Sequence, residues 1–445
     1  MPQLADLSPT TPLFDAVIVG AGPSGSASAY WLAEAGWSVC LIEKKDFPRE
    51  KTCGDGLTPR SVHQLAAMGL EPAVAAHGHR YHGLRAFGFG ASLEMNWPDH
   101  AVFPNYGYTI TRFNLDGLVA GRAVERGATL LTGVEAVGLL EATDGPEGRL
   151  RGAGGVTLYE KATGTRADVR ARYVIVADGQ NSRLGRELGV TRNRQWPMGM
   201  ALRGYYSSDR HAEPWIESHL DIRDPNGEVV PGYGWIFPLG DGRVNVGVGL
   251  LSTAGAWKGV NTTKLQEYFV SQTAQAWGLS ESTRLSVPTG GRLPMGLARG
   301  PHTGANTLVV GDAGGSINPF NGEGIAYGYE TGRLAAGVVA EALLADDAGH
   351  LAAYGERLDA AYGEYYKVAR AFVRLISEPK ILAACVGLGM RIEPVMREVL
   401  TVMANLMRND ERGPGELAYR ALARIVDVVP ERAYSMLLGE HGTED

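Results

Sequence analysis

Apolar positions along the chain follow two regimes. As far as about residue 310 they come mainly in short runs of strand length, and from Gly324 onward Ala, Leu, Glu, Tyr and Arg recur at helical spacing. The first run, Phe14 to Val19, leads into a glycine-rich turn, Gly20 to Gly25, and then into a small-residue stretch, Ser26 to Ala35, which predicts a helix stopped by Gly36. Trp37 to Glu43 returns as a second strand, completing one βαβ unit. Ala128 to Leu131, Tyr173 to Ala177 and Thr307 to Val310 share the continuous apolar character of strands covered on both faces, so one parallel sheet gathered from separated segments is expected.

Between these segments, Val134 to Arg172 is broken by Asp144-Gly145-Pro146 and by Gly152 to Gly155, which predicts antiparallel hairpins ahead of the Tyr173 strand. Trp196 to Pro294 is strand-like and aromatic, with turns at Asp224 to Gly227 and at Asp241-Gly242, and reads as a second sheet facing the substrate. Pro394 to Met407 places Met396, Val399, Leu400, Met403 and Met407 at helical spacing; this stripe suits an adaptable lipid groove or, more commonly, a core.

Composition narrows the class. The 445 residues are 44% hydrophobic and 20% charged, ordinary for a globular chain of two or three structural units. A net charge of -7 gives no support to a phosphate-tracking nucleic-acid surface. Cys40, Cys53 and Cys385 are too scattered for a zinc cluster or a disulfide framework, so no metal is expected and a reducing, cytoplasmic setting is. No apolar run reaches the roughly 18 residues of a membrane span, and Met1 to Leu13 reads as a short disordered lead-in without signal-peptide character.

The chemistry begins at Gly20-Ala21-Gly22-Pro23-Ser24-Gly25. This is G-x-G-x-x-G between a strand and a helix, the context in which the motif binds a dinucleotide. Gly20 permits the tight turn, Gly22 lets backbone approach a pyrophosphate, and Gly25 lets the helix pack closely on the strand. Glu43, 23 residues beyond Gly20 at the end of the second strand, is placed to accept hydrogen bonds from an adenosine ribose. Two later segments distinguish FAD from NAD. Leu308 to Asp312, followed by Asn318-Pro319-Phe320-Asn321-Gly322-Glu323-Gly324-Ile325, resembles the ribityl-binding strand and helix start of p-hydroxybenzoate hydroxylase-type flavoproteins, and Tyr173 to Gly179 with Ser182 and Arg183 resembles their Asp-Gly segment.

Lys51-Thr52-Cys53-Gly54-Asp55-Gly56, the stretch Gly311 to Ile325, and above all Tyr233-x-Trp235-x-Phe237-Pro238 are similar to the geranylgeranyl reductase family over most of the chain, to about Arg333. The resemblance implies an α/β fold: a Rossmann-type FAD-binding domain of p-hydroxybenzoate hydroxylase-like architecture (14–75, 105–190 and 300–345), an antiparallel substrate-binding sheet domain (76–104 and 191–299), and a C-terminal helical region (346–445). It implies FAD contacts at Gly20, Gly22, Gly25, Glu43, Cys53, Gly54, Arg112, Ala136, Asp312, Gly324 and Ile325. Arg112, just before an expected Asn114 to Glu125 helix, either neutralises pyrophosphate charge or makes a surface ion pair. Within the family, Cys53 to Arg60 and Asn318 to Gly324 look most like the bacterial menaquinone reductases.

The implied activity is FAD-dependent reduction of an isoprenoid C=C bond, a CH–CH oxidoreductase reaction, on a prenylated quinone or another isoprenoid lipid. The electron donor is unidentified, and the enzyme would work peripherally on the inner face of the cell membrane. Tyr233, Trp235 and Phe237 alternate with period 2 and share a strand face, giving either an aromatic wall for the substrate or a face packed on the protein's own core. For the proton only Cys53 offers itself, weakly, because a neutral thiol is a poor acid. A flavin monooxygenase or halogenase on the same scaffold and a non-catalytic prenyl-lipid carrier are the rival readings.

Overall fold

The computed structural model describes residue 4 and residues 13–145, 147–251, 259–407 and 414–428. Most of the lead-in expected over Met1 to Leu13, Pro146 of the expected turn, and 408–413 and 429–445 of the C-terminal region lie outside the described residues.

Thr129–Leu131, Val39–Ile42, Phe14–Val19, Thr165–Val176 and Thr307–Val309 lie side by side in that order, all parallel. Alternate residues of the first strand feed opposite layers: Ala16 and Ile18 pack into one core cluster, Val17 and Val19 into another. That double burial is why these strands read as unbroken apolar runs. The hairpins expected before Tyr173 are present, but the last is continuous with the parallel strand. Thr165–Val176 pairs antiparallel with Gly155–Glu160 over its first half and enters the parallel sheet with its second.

The first helix spans Pro23–Glu34, three residues earlier than the expected start at Ser26. Proline at the first helical position needs no N–H partner and already has helical φ, so the helix begins inside the glycine motif. Gly25 therefore sits in its first turn, where a Cβ would lie 1.8 Å from the Gly20 carbonyl oxygen. Ile325–Ala345 crosses this helix equally closely: a Cβ on Gly332 would lie 2.3 Å from the Ser24 carbonyl oxygen, and Ser28 Oγ donates to the Gly332 carbonyl at 3.1 Å. The crossing brings the start of the second helix up to the glycine turn.

The second sheet runs Thr289–Pro294, Met198–Ser207, Arg243–Leu251, Gly232–Pro238, Trp215–His219, Gly83–Gly88 and Ala91–Asn96. Its pairs are antiparallel except Trp215–His219 with Gly83–Gly88. The block expected to be all strand also contains a helix, Thr262–Trp277, capped by the Asn261 side chain. Leu265, Phe269 and Trp277 lie on one helical stripe and pack on Ile236, Val246 and Val248 of the sheet. Helices Ala353–Ile376, Pro379–Gly389, Glu393–Met403 and Pro414–Val428 follow.

Candidate active site

A cavity of about 720 Å³ is lined from both sheets. Gly20, Gly22, Glu43, Cys53, Gly54, Arg112, Ala136, Asp312, Gly324 and Ile325 all border it, as do Tyr233, Trp235 and Phe237. Gly25 lies beneath the turn, off the cavity wall, where its missing side chain admits the Gly20 carbonyl. Gly20 has φ 101°, and a Cβ there would lie 2.4 Å from the Ala177 carbonyl oxygen. Gly22 is different: a Cβ would meet only the Arg112 guanidinium, at 3.8 Å, so its missing side chain leaves a cradle open to the cavity and to a phosphate.

Glu43 is buried and organises that turn. Its Oε2 accepts from the Ala21 N–H at 3.2 Å and from Arg49 Nη2 at 3.0 Å, while Oε1 accepts from the Lys45 N–H at 3.2 Å. Arg112 is the first residue of the helix Arg112–Glu125, not a residue ahead of a helix starting at Asn114. It is buried, which removes the surface ion pair from consideration. Both Arg112–Asp116 hydrogen bonds are 2.6 Å, and Asp116 also pairs with Arg49 at 2.8 Å.

Asp312 borders the cavity, and while its backbone carbonyl accepts from Arg299 Nη1 at 3.0 Å, its carboxylate takes no hydrogen bond from any described residue. Burial pushes its carboxyl up, against the pull of Lys51, Arg112 and Arg299. Burial likewise pulls the Lys51 ammonium down, with Asp312 opposing. A half-buried carboxylate left open beside cations fits a ligand that brings both hydroxyls and phosphates, as the ribityl pyrophosphate of FAD does.

Tyr233, Trp235 and Phe237 form one tilted stack, with successive ring centroids 5.7 and 6.2 Å apart. The motif is distant in sequence from the flavin fingerprints but touches one of them: a Cβ on Gly54 would lie 3.4 Å from the Phe237 ring and 3.6 Å from Trp235 Nε1. Beyond the aromatics the lining turns apolar, with Leu84, Met95, Ile216, Met396, Val399, Leu400 and Met403. The methionine stripe thus faces the cavity along Glu393–Met403, while Met396 and Leu400 also belong to a core cluster.

A model described as FAD binding domain matches residues 14–210. The chain is 41% identical to menaquinone reductase of Mycobacterium tuberculosis (strain H37Rv) over 94% of this chain and 98% of that one. It is 31% identical to digeranylgeranylglycerophospholipid reductase 1 of Methanopyrus kandleri over 82% and 91% of the two chains. The chain belongs to the geranylgeranyl reductase family. A solved geranylgeranyl bacteriochlorophyll reductase-like protein of Thermoplasma acidophilum has the same fold, with a TM-score of 0.69 at 20% identity over 96% of this chain and 99% of that one. This reductase is accordingly an FAD-dependent oxidoreductase acting on C=C bonds, with the α/β fold the sequence suggested.

Two features of the reductase site lie outside the sequence-derived set. The first is Asp55, fully buried at φ 65°, whose Oδ2 accepts from Tyr205 Oη at 2.6 Å and Asn245 Nδ2 at 2.8 Å while Oδ1 accepts from the Arg112 N–H at 3.3 Å. Asn245 Nδ2 and Arg203 Nε also donate to the Cys53 carbonyl at 2.9 and 3.1 Å, so the second sheet clamps the loop 53–56. Asn245 between Val244 and Val246 is a polar residue in an apolar run, the one sequence signal that could have revealed the clamp. Burial, and then Asp55, push the Cys53 thiol up and keep it protonated. The second feature is Glu323, whose Oε1 accepts from Thr58 Oγ1 at 2.5 Å and Ser61 Oγ at 3.1 Å. Its Oε2 is buried without a hydrogen-bond partner, and burial pushes its carboxyl up to about 7.

Proposed function

We propose that this reductase saturates one isoprene unit in the tail of menaquinone. The observation that carries the reading is that one cavity is lined by the glycine turn, the aromatic stack and a set of apolar side chains that includes Met396, Leu400 and Met403. Such a cavity suits a flat ring system at one end and a flexible hydrocarbon at the other. The high identity to menaquinone reductase along nearly the full chain supports the quinone over an archaeal glycerolipid.

Bound and reduced, FAD supplies a hydride at its N5 position. An isolated isoprene bond has no neighbouring carbonyl to hold negative charge, so the protein must supply a proton in concert. In this reading Gly20, Gly22 and Gly25 shape the pyrophosphate turn, Glu43 meets the adenosine ribose, Arg112 and Lys51 balance the phosphates, and Asp312 receives the ribityl hydroxyls. Cys53, Gly54, Ala136, Gly324 and Ile325 border the flavin. Tyr233, Trp235 and Phe237 align the alkene, where restricting its position raises the fraction of reactive encounters. Segments 14–75, 105–190 and 300–345 hold the cofactor; 76–104 and 191–299 shape the substrate.

No helix among the described residues is long and apolar enough to cross a membrane. Peripheral contact with the inner face of the cell membrane is the arrangement proposed, with Leu388, Ile392 and Val395, all exposed beside the cavity-lining helix, resting on lipid. Electrons come from a carrier that visits transiently, since the sequence holds one G-x-G-x-x-G and FAD uses it. The deciding experiment is anaerobic incubation of the dithionite-reduced holoenzyme with menaquinone, followed by mass spectrometry. A product heavier by two hydrogens, with the added pair in the tail, is expected. Unchanged menaquinone together with turnover of a geranylgeranyl glycerolipid would overturn the assignment.

A further inference from the structure

The reaction needs a proton beside an apolar chamber, and Cys53 is held as a thiol too weak in acidity to give one up readily. Glu323 lies one residue before Gly324 and borders the cavity together with Thr58. Thr58 is the residue before the helix Pro59–Ala67, yet its hydroxyl makes no cap bond to that helix. It is committed to Glu323 instead. Ser61, in the first turn of the same helix, donates to the same oxygen.

What would otherwise hold Glu323 ionised has been diverted. Arg60, whose charge pulls the Glu323 carboxyl down, is paired at 2.7 Å with Glu330, whose charge pushes it up, and Tyr362 Oη donates to Glu330 as well at 2.6 Å. The other titratable groups whose fields couple to Glu323 are Tyr81, Tyr233, Tyr327 and Tyr365, all held neutral by burial. A carboxyl with two hydroxyl donors on one oxygen and nothing on the other is suited to carry its own proton. Its raised affinity, about 7, is where a general acid works best at cellular pH.

We propose that Glu323, protonated, is the acid of the reaction and hands its proton to the alkene while Thr58 and Ser61 hold its other oxygen. This rests on the isoprenoid-reductase reading above. As the hydride and its electron pair reach one alkene carbon, the Glu323 O–H bond breaks and its proton forms a C–H bond at the other. Thr58 and Ser61 continue to donate to the resulting carboxylate, and solvent entering after product release reprotonates it. The alkene is reduced by two electrons, the reduced flavin is oxidised by two, and one proton is drawn from water.

The test compares wild type, Glu323→Gln, Thr58→Val and Thr58→Ser, each loaded with FAD. Glu323→Gln is expected to lower kcat by about a hundredfold or more, the range of a lost general acid, with KM and flavin content little changed, and Thr58→Val, which removes one donor to the carboxylate, by about tenfold. Thr58→Ser retains turnover because it keeps the hydroxyl. Wild-type kcat falls as pH rises through about 7, and the Glu323→Gln residual rate lacks that dependence. Independently of substrate, infrared titration of the holoenzyme shows a carboxylic acid C=O band that disappears near the same pH and is absent from Glu323→Gln. Full activity of Glu323→Gln with the wild-type pH profile, or a Glu323 band lost already at ordinary carboxylate pH, overturns the assignment of Glu323 as the acid. A wild type that shows the titrating band but saturates no bond of menaquinone instead overturns the substrate reading, and the proton transfer to that alkene with it.

Discussion

The indole N–H of Trp235 donates to Oδ1 of Asn245 at 2.9 Å, and the amide of the same Asn245 holds both the Cys53 carbonyl and Asp55. The aromatic motif is therefore joined to the cavity-lining loop 53–56 by two hydrogen bonds in series. Trp235 borders the cavity and is also 4% exposed, so it is at once cavity wall and core. Trp235→Ala is expected to remove menaquinone turnover and to lower stability by about 3–5 kcal/mol, the usual cost of truncating a buried aromatic. Trp235→Phe keeps most of the ring but strands the Asn245 acceptor, costing about 1–3 kcal/mol. Melting temperature, flavin content and turnover measured on one preparation of each variant check both; a fully active, unshifted Trp235→Ala would remove the motif from the site.

Glu43→Arg is expected to yield protein that loses FAD on desalting. The change puts a guanidinium beside Arg49 and releases the Ala21 N–H that Glu43 Oε2 fixes. Loss of a charge-assisted hydrogen bond is worth about 1.5–3 kcal/mol, or roughly ten- to a hundredfold in affinity. Flavin fluorescence during titration with FAD measures it. Unchanged affinity would mean that Glu43 serves only the turn.

The cofactor end was legible because its chemistry is local: a glycine turn, a strand-end acid and a strand running into Asp312 each announce themselves within a few residues. The clamp on the loop 53–56 was not, since Asp55, Arg203, Tyr205 and Asn245 come from three strands or loops and meet only after the second sheet folds. The helix Thr262–Trp277 was hidden for a different reason. Its large buried apolar residues are sparse, at Leu265, Phe269 and Trp277, with Gln266 and Thr273 buried among them, so in a window rich in strands its 3.6-residue period was weak. Glu323 stood in plain sight in a glycine-rich loop, but only the approach of Thr58 and Ser61 from the other side of the sequence marks it as an acid.

Acid should loosen the second sheet through Glu217. Burial works against its charge, but His219, Arg85 and Trp277 outweigh that and hold its carboxyl below the ordinary 4.5. Arg85 Nη1 donates at 3.0 Å and Trp277 Nε1 at 2.8 Å, tying a neighbouring strand and the helix Thr262–Trp277 to one carboxylate. A depressed folded-state value contributes stability above the unfolded value, lost as pH falls through the folded one. Glu217→Gln is expected to cost about 1–3 kcal/mol near neutral pH, since Arg85 keeps Glu94 and Glu213 as partners, and little at the acid end. Denaturant melts across pH test this, and curves that stay parallel would show that Glu217 carries no pH-dependent stability.

Leu388, Ile392 and Val395 are 66%, 44% and 46% exposed where Pro379–Gly389 gives way to Glu393–Met403. The second of these helices lines the apolar chamber with Met396, Val399, Leu400 and Met403, so one element presents apolar side chains both to the cavity and to the outside. A quinone tail leaving a bilayer across this edge would keep apolar contact throughout. Leu388→Asp with Val395→Asp should forfeit roughly 3–6 kcal/mol of burial in lipid and abolish sedimentation with vesicles. Because the substitutions lie outside the cavity, turnover of menaquinone dispersed in detergent should be preserved while KM for vesicle-embedded menaquinone rises. Equal loss in detergent and vesicles would mean that the exposed face supports the fold instead of the membrane contact.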